Sequence, residues 1–138
     1  MVVSIALEQL GFARKAVREA VRGLKVIDDG SEKESDITWA VGEAFANCVE
    51  HGGCSEADVE VAMQEGDVVV EIKASCYQDP EKVKSWFGRP GSGTDLDNSR
   101  GRGDCIILSL VKEMECKPGL VRLIFDPLAV HRTPMAAA

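Results

Sequence analysis

A change of hydrophobic period part-way along the chain sets the outline of the fold. Between Glu8 and Leu24 the apolar residues Leu10, Ala13, Val17, Ala20, Val21 and Leu24 recur at helical spacing, and between Glu32 and Glu50 Ile37, Val41, Ala44, Phe45 and Cys48 do the same. The period then drops to two. Ala57 to Met63 alternates through Val59, Val61 and Met63, Glu65-Gly66-Asp67 forms a turn, and Val68 to Ala74 is apolar almost throughout. Two amphipathic helices followed by a hairpin cannot bury their apolar stripes alone; laid on one face of a sheet, they can. The expected class is α+β, a two-layer α/β sandwich. Strand and helix do not alternate regularly, which disfavours a doubly wound fold.

The remaining elements follow the same logic. Val2 to Leu7 is short and β-branched and reads as a first strand. Asp28 to Ser31 is a turn, and His51-Gly52-Gly53 ends the second helix with glycine available for a left-handed cap. Val68 to Ala74 is continuous enough to be a central strand buried on both faces. Asp79-Pro80 opens a short helix from Glu81 to Phe87. Gly88 to Gly103 is rich in glycine and almost devoid of large apolar side chains, the composition of a functional loop. A third helix is expected from Asp104 to Glu115, then a turn at Pro118-Gly119 and a last strand from Leu120 to Phe125. The sheet is expected to be mixed, with helices on one face. Residues 1–126 form one domain in this reading, and 127–138 a disordered tail.

Charge and cysteine usage narrow the function classes. Sixteen basic residues against 23 acidic ones give a net charge of −7, which argues against direct nucleic-acid binding and against a polybasic membrane anchor. With aromatics at 5%, base-stacking platforms are also disfavoured. No apolar run approaches the ~20 residues of a membrane span. The N-terminus carries no basic segment before its apolar stretch, so the expected location is cytoplasmic. Five cysteines, an odd number in a chain without a leader, argue for free thiols rather than a disulfide framework.

Several residue groups could carry chemistry. Glu43, Asn47 and Glu50/His51 stack at steps of three and four on one side of the second helix. A carboxylate one turn from a carboxamide suits a metal-nucleotide site, since Asn offers Mg²⁺ a neutral oxygen and Glu can deprotonate a nucleophile; a solvated polar face would show the same spacing. Ser99-Arg100-Gly101-Arg102-Gly103 lies just before the expected third helix, where glycines, arginines and helix N–H groups could cradle phosphate. Cys48, His51 and Cys54, with Cys76 nearby, offer ligands to Zn²⁺ or a redox function, against the alternative of buried thiols. Arg14, Lys15, Arg18 and Arg22 on the first helix read as a solvated face or a partner surface, and Trp86-Phe87 as core or a docking pair.

Taken together, these stretches resemble a known family. GEAFANCVEHG at 42–52 looks like the N-box of the GHKL (Bergerat) ATPases and, within them, of the bacterial anti-sigma factor serine kinases; GRGDCIILSLVKEMEC at 101–116 is similar to their second glycine box and following helix. The resemblance implies a histidine kinase-like ATPase domain using ATP and Mg²⁺. It implies Glu43 as the general base for a substrate serine, Asn47 as the Mg²⁺ and phosphate ligand, and Arg100, Gly101, Arg102 and Gly103 as the phosphate-binding turn. Residues 88–100 would be the ATP lid. The implied partners are a sigma factor and an anti-anti-sigma protein of the STAS type, with a homodimer as the working form. The first glycine box departs from the family: Ala74 stands at the position of the adenine-binding Asp, Cys76 at that of a glycine, and Asp104 replaces an apolar residue after Gly103. Three functions follow as expectations: a serine kinase that regulates a sigma factor, a non-catalytic partner-switching module with weakened ATP binding, or a metal- or redox-responsive variant.

Overall fold

A computed structural model describes residues 2–6, 10–87, 107 and 110–128 of the chain. Strand β1 (Val2–Ala6) leads into helices α1 (Leu10–Leu24) and α2 (Glu32–Gly52), then β2 (Glu56–Gln64), β3 (Asp67–Lys73), the short helix α3 (Pro80–Trp86), β4 (Glu113–Lys117) and β5 (Leu120–Phe125). The five strands form one sheet in the order β1-β2-β3-β5-β4. The α+β two-layer sandwich expected from the periodicity is the architecture observed.

The mixed sheet is corrected: every described strand pairing is antiparallel. The physical reason lies in the first connection. Arg22 and Arg14 of α1 meet Glu34 and Glu43 of α2 in reverse order, so the two helices run antiparallel. The chain therefore crosses the sheet twice between β1 and β2 and re-enters reversed, with Val3 opposite Val59. A single crossover helix would have left the strands parallel.

Local chemistry explains the elements. Ser31 caps α2, its side chain accepting from the Glu34 N–H at 3.2 Å, and Gly53 closes the helix in the left-handed region at φ 68°. Asp79 caps α3, its Oδ1 accepting from the N–H groups of Glu81 and Lys82, with Pro80 in the first turn. The β2–β3 hairpin turns through Glu65 and Gly66, both at positive φ, as a tight two-residue loop requires.

The core lies between the helices and one face of the sheet. Val17, Val21, Ile37, Val41, Ala44 and Phe45 pack against Val59, Val70, Ile72, Val121, Leu123 and Phe125. The other face carries charge: Arg122 donates to Glu71 Oε2 at 2.9 Å and to Glu115 Oε2 at 3.2 Å. Strand β3 is central as expected, but Glu71 on that second face is only half-buried, so burial there is partial. The expected third helix is corrected at its C-terminal end. Ile107 and Leu110 are helical, whereas Glu113–Lys117 is a strand, because Met114 and Cys116 alternate with Glu113, Glu115 and Lys117 and pack on the core. Trp86 and Phe87 close the core, with 7% and 0% exposure.

Candidate functional site

Helix α2 builds the site. Its stretch from Val41 to Cys48 is buried on every side, which a surface amphipathic helix would not be. Glu43 and Asn47 therefore do not form a solvated polar face: they are 6% and 0% exposed, one helical turn apart. Burying a carboxylate and a carboxamide in a helix that could have used apolar residues costs free energy unless they are partnered. Both residues have interaction partners.

Arg14 of α1 supplies one partner. Its Nη2 lies 3.9 Å from Glu43 Oε1, and its guanidinium sits 5.6 Å from the centre of the Trp39 ring. Gly42 is what lets it lie there, because a side chain at that position would run into Arg14 Nε. Arg14 Nε is buried and has no hydrogen-bond acceptor among the described residues. Further along α1, Arg22 grips Glu34 with both arms, at 2.7 and 2.9 Å, and Arg18 approaches the same carboxylate at 3.8 Å. Hydrogen bonding from Arg22 holds the Glu34 carboxyl below the usual glutamate range against the opposing effect of burial. The basic row of α1 is thus solvated, with Lys15, Arg18 and Arg22 exposed, while Arg14, Arg18 and Arg22 also reach carboxylates of α2.

At the other end of α2 the chemistry is soft. The buried Cys48 thiol donates to the Tyr77 hydroxyl at 2.6 Å. Burial pushes that thiol up to about 11 and raises the Tyr77 phenol as well. Cys54, just beyond the helix, accepts from the Cys76 backbone N–H at 3.2 Å and lies 3.5 Å from Ser75 Oγ. Burial pushes the Cys54 thiol up, but the hydrogen bonds from Cys76 and Ser75 outweigh it and leave the thiol below its ordinary value. Cys76, by contrast, is raised by burial and by its neighbours Cys54 and Cys48. The His51 ring is stacked on Trp86 with centroids 6.0 Å apart. Among the described residues no group of three or more His, Cys, Asp or Glu is arranged to hold a metal ion, so the metal centre considered for Cys48, His51, Cys54 and Cys76 is not assembled. Tyr77 is a site residue that the sequence reading passed over; the one tyrosine of the chain, isolated in a polar turn, was the available signal.

The turn after β3 is where the family's first glycine box would fall. Ala74 is buried there and donates its N–H to the Gly119 carbonyl at 3.3 Å. Asp79 does not replace the missing carboxylate, because it is occupied as the cap of α3 and exposed. Arg100, Gly101, Arg102 and Gly103, the lid at 88–100, Asp104, and the tail from 129 to 138 lie outside the described residues.

The family model for the histidine kinase-like ATPase domain matches residues 3–125. The chain therefore belongs to that family, within the GHKL superfamily, and its antiparallel sheet with helices on one face has the corresponding architecture. A search of curated proteins finds no match. Membership implies binding of ATP, typically with Mg²⁺. The donor set on α2 fits that pair: the Asn47 carboxamide is a hard oxygen donor held in place by burial, and Glu43 brings a carboxylate one turn away. No described helix is long and apolar enough to cross a membrane.

Proposed function

We propose that this protein is an ATP-dependent serine kinase acting on an anti-anti-sigma partner of the STAS type, and that it also binds a sigma factor, so that phosphorylation decides which partner it holds. The supporting observation is the buried Glu43–Asn47 pair one turn apart on α2, flanked by Arg14. A polar pair retained at full burial in a helix otherwise packed with Ala, Val and Phe has a role that packing alone does not supply.

Phosphoryl transfer asks a protein mainly to position groups and balance charge. Mg²⁺-ATP, when bound, supplies the transferable phosphoryl group and the cation that neutralises its developing charge. Asn47 would hold the cation through its carboxamide oxygen. Glu43 would accept the proton of the incoming serine hydroxyl, and Arg14, 3.9 Å away, would fix the orientation of that carboxylate. Arg100, Gly101, Arg102 and Gly103 are proposed to cradle the phosphates through backbone N–H groups and guanidinium charge. The net charge of −7 suits a basic, DNA-binding protein partner. A cytoplasmic location and a homodimeric working form belong to the same proposal.

A second reading is favoured by a specific observation. With Ala74 at the adenine-binding position and Asp79 committed to capping α3, the base loses a buried acceptor, an effect of about 1–3 kcal/mol. A module that switches partners without turning over ATP would tolerate that loss. Phosphotransfer from labelled ATP to a STAS-domain substrate separates the two readings. Transfer by the wild type that disappears in Glu43→Ala supports the kinase; no transfer by the wild type supports the switching module; transfer that survives Glu43→Ala refutes the assigned base.

A further inference from the structure

Cys48, Cys54 and Cys76 come from the end of α2, the segment after it and the turn after β3, and the fold brings them to one place. Each is in a different state. Cys48 is fully buried and tied to Tyr77, as described above. Cys76 is half-buried; its backbone N–H donates to Cys54 Sγ, and its thiol is raised by burial and by the neighbouring Cys54 and Cys48. Cys54 is also half-buried, with its sulfur receiving the Cys76 N–H and lying beside Ser75 Oγ. A second close approach makes room for this arrangement. A Cβ on Gly52 would stand 2.5 Å from Cys76 Sγ, so only glycine at 52 lets the Cys76 thiol sit against the end of α2.

We propose that Cys54 and Cys76 form a peroxide-reactive dithiol site, oxidised by a hydroperoxide to an intramolecular disulfide that ties the end of α2 to the turn after β3. Cys54 is the attacking sulfur because it is partly exposed, unlike the buried Cys48, and because its sulfur receives a backbone N–H and lies beside the Ser75 hydroxyl, contacts that stabilise a thiolate. Its thiolate takes one oxygen of the hydroperoxide; the O–O bond breaks, and the leaving alkoxide or hydroxide is protonated by water. Cys54 is then a sulfenic acid. The Cys76 sulfur attacks the Cys54 sulfur, the S–O bond breaks, and the departing hydroxide carries away the Cys76 proton as water. Two thiols lose two electrons in all, and one hydroperoxide gains them. Cys76 is the resolving residue rather than Cys48, because its backbone already touches Cys54 Sγ while the Cys48 thiol is held by Tyr77. Cys116 stands apart, its charged neighbours being Lys84 and Glu81 rather than other thiols.

The bond would rigidify the turn in which the proposed kinase reading places the base of the nucleotide, so an effect on ATP affinity rests on that reading; the thiol chemistry does not. The test uses the full chain carrying Cys105→Ser and Cys116→Ser, treated with hydrogen peroxide and followed by thiol titration and peptide mass mapping. The expected result is loss of two thiols, a Cys54–Cys76 linked peptide and its reversal by dithiothreitol. Adding Cys76→Ser should stop the reaction at a dimedone-trappable sulfenic acid on Cys54. Adding Cys54→Ser should slow oxidation about tenfold or more, the loss of an activated thiolate. A Cys48–Cys76 bond, linkage between molecules only, or undiminished oxidation in the Cys54→Ser protein would overturn the proposal. Mg²⁺-ATP affinity is measured on the reduced and oxidised forms in parallel. Disulfide formation in a protein that binds no ATP in either state would count against the kinase reading alone.

Discussion

The two ends of helix α2 are held by opposite kinds of chemistry. Its first half is gripped by charge: Ser31 and Glu34 close the N-terminus, Arg22 and Arg18 converge on Glu34, and Arg14 reaches Glu43. Its last turn is packed by sulfur and aromatic rings, with Cys48 on Tyr77 and His51 on Trp86. The stretch that resembles the N-box, 42–52, begins where the charged contacts end and runs into the soft end. The soft end faces the turn where Ala74 and Cys76 depart from the family pattern. A helix can thus keep a polar pair at one place while the adjoining wall is rebuilt from thiols and aromatic rings, provided the polar pair is anchored from a different element, here α1.

That contrast can be broken from either side. The largest effect is expected from Glu43→Gln, which keeps the shape of the residue but removes the proposed base: phosphotransfer should fall about 10²–10³-fold while nucleotide affinity changes little, as read by single-turnover kinetics and titration. Gly42→Val should come next. The new side chain collides with the Arg14 side chain at a buried position and must displace it from Glu43, and urea unfolding should show a loss of about 1–3 kcal/mol. Arg22→Ala removes both hydrogen bonds from a carboxylate that is only 2% exposed. Because Arg22 itself is about two-fifths exposed, water replaces part of what is lost, and a smaller loss than for Gly42→Val is expected, with Arg22→Lys recovering some of it. At the soft end, Tyr77→Phe deprives the Cys48 thiol of its acceptor and should cost about 0.5–1 kcal/mol. If it costs more than Arg22→Ala, the two ends have been ranked in the wrong order.

The smallest effect is a pH signature. The Glu34 carboxyl titrates lower in the folded protein than in the unfolded chain. The unfolded chain therefore takes up the proton first, and the stability due to this group, fully present above the ordinary value of 4.5, is lost as the pH falls toward and through the folded value. Urea midpoints between neutral and mildly acid pH should fall less steeply in Glu34→Gln than in the wild type.

Most of the framework was legible in the sequence because it depends on local pattern. Helical spacing located α1 and α2, alternation located β2, and the Pro118-Gly119 turn marked the start of β5. The stretch from Asp104 to Glu115 misled because Ile107, Leu108, Leu110, Val111 and Met114 extend an apolar helical stripe, while the five-residue alternation of Glu113–Lys117 is too short to outweigh it without the pairing to β5. Strand direction was legible only in part: the hairpin made β2 and β3 antiparallel, but the expected third helix, carried through to Glu115, left no room for β4 and hid its antiparallel pairing with β5. In the site, Glu43 and Asn47 stood out by spacing and by resemblance, but their burial did not, because the covering side chains come from distant parts of the chain. The role of Arg14, Arg18 and Arg22 was hidden for the same reason: a basic stripe on one helix has no meaning until the facing helix shows its acids. Ser31-x-x-Glu34 was readable as a capping pattern and passed as a simple turn.

The central claim is that α2 carries a working nucleotide site despite the altered turn beyond it. Calorimetric titration of the reduced full chain with ATP, with and without Mg²⁺, tests it most directly. The account predicts Mg²⁺-dependent binding that Asn47→Ala abolishes while the variant keeps its fold by circular dichroism. No binding up to millimolar ATP, or binding that is indifferent to Mg²⁺ and to Asn47, would contradict it.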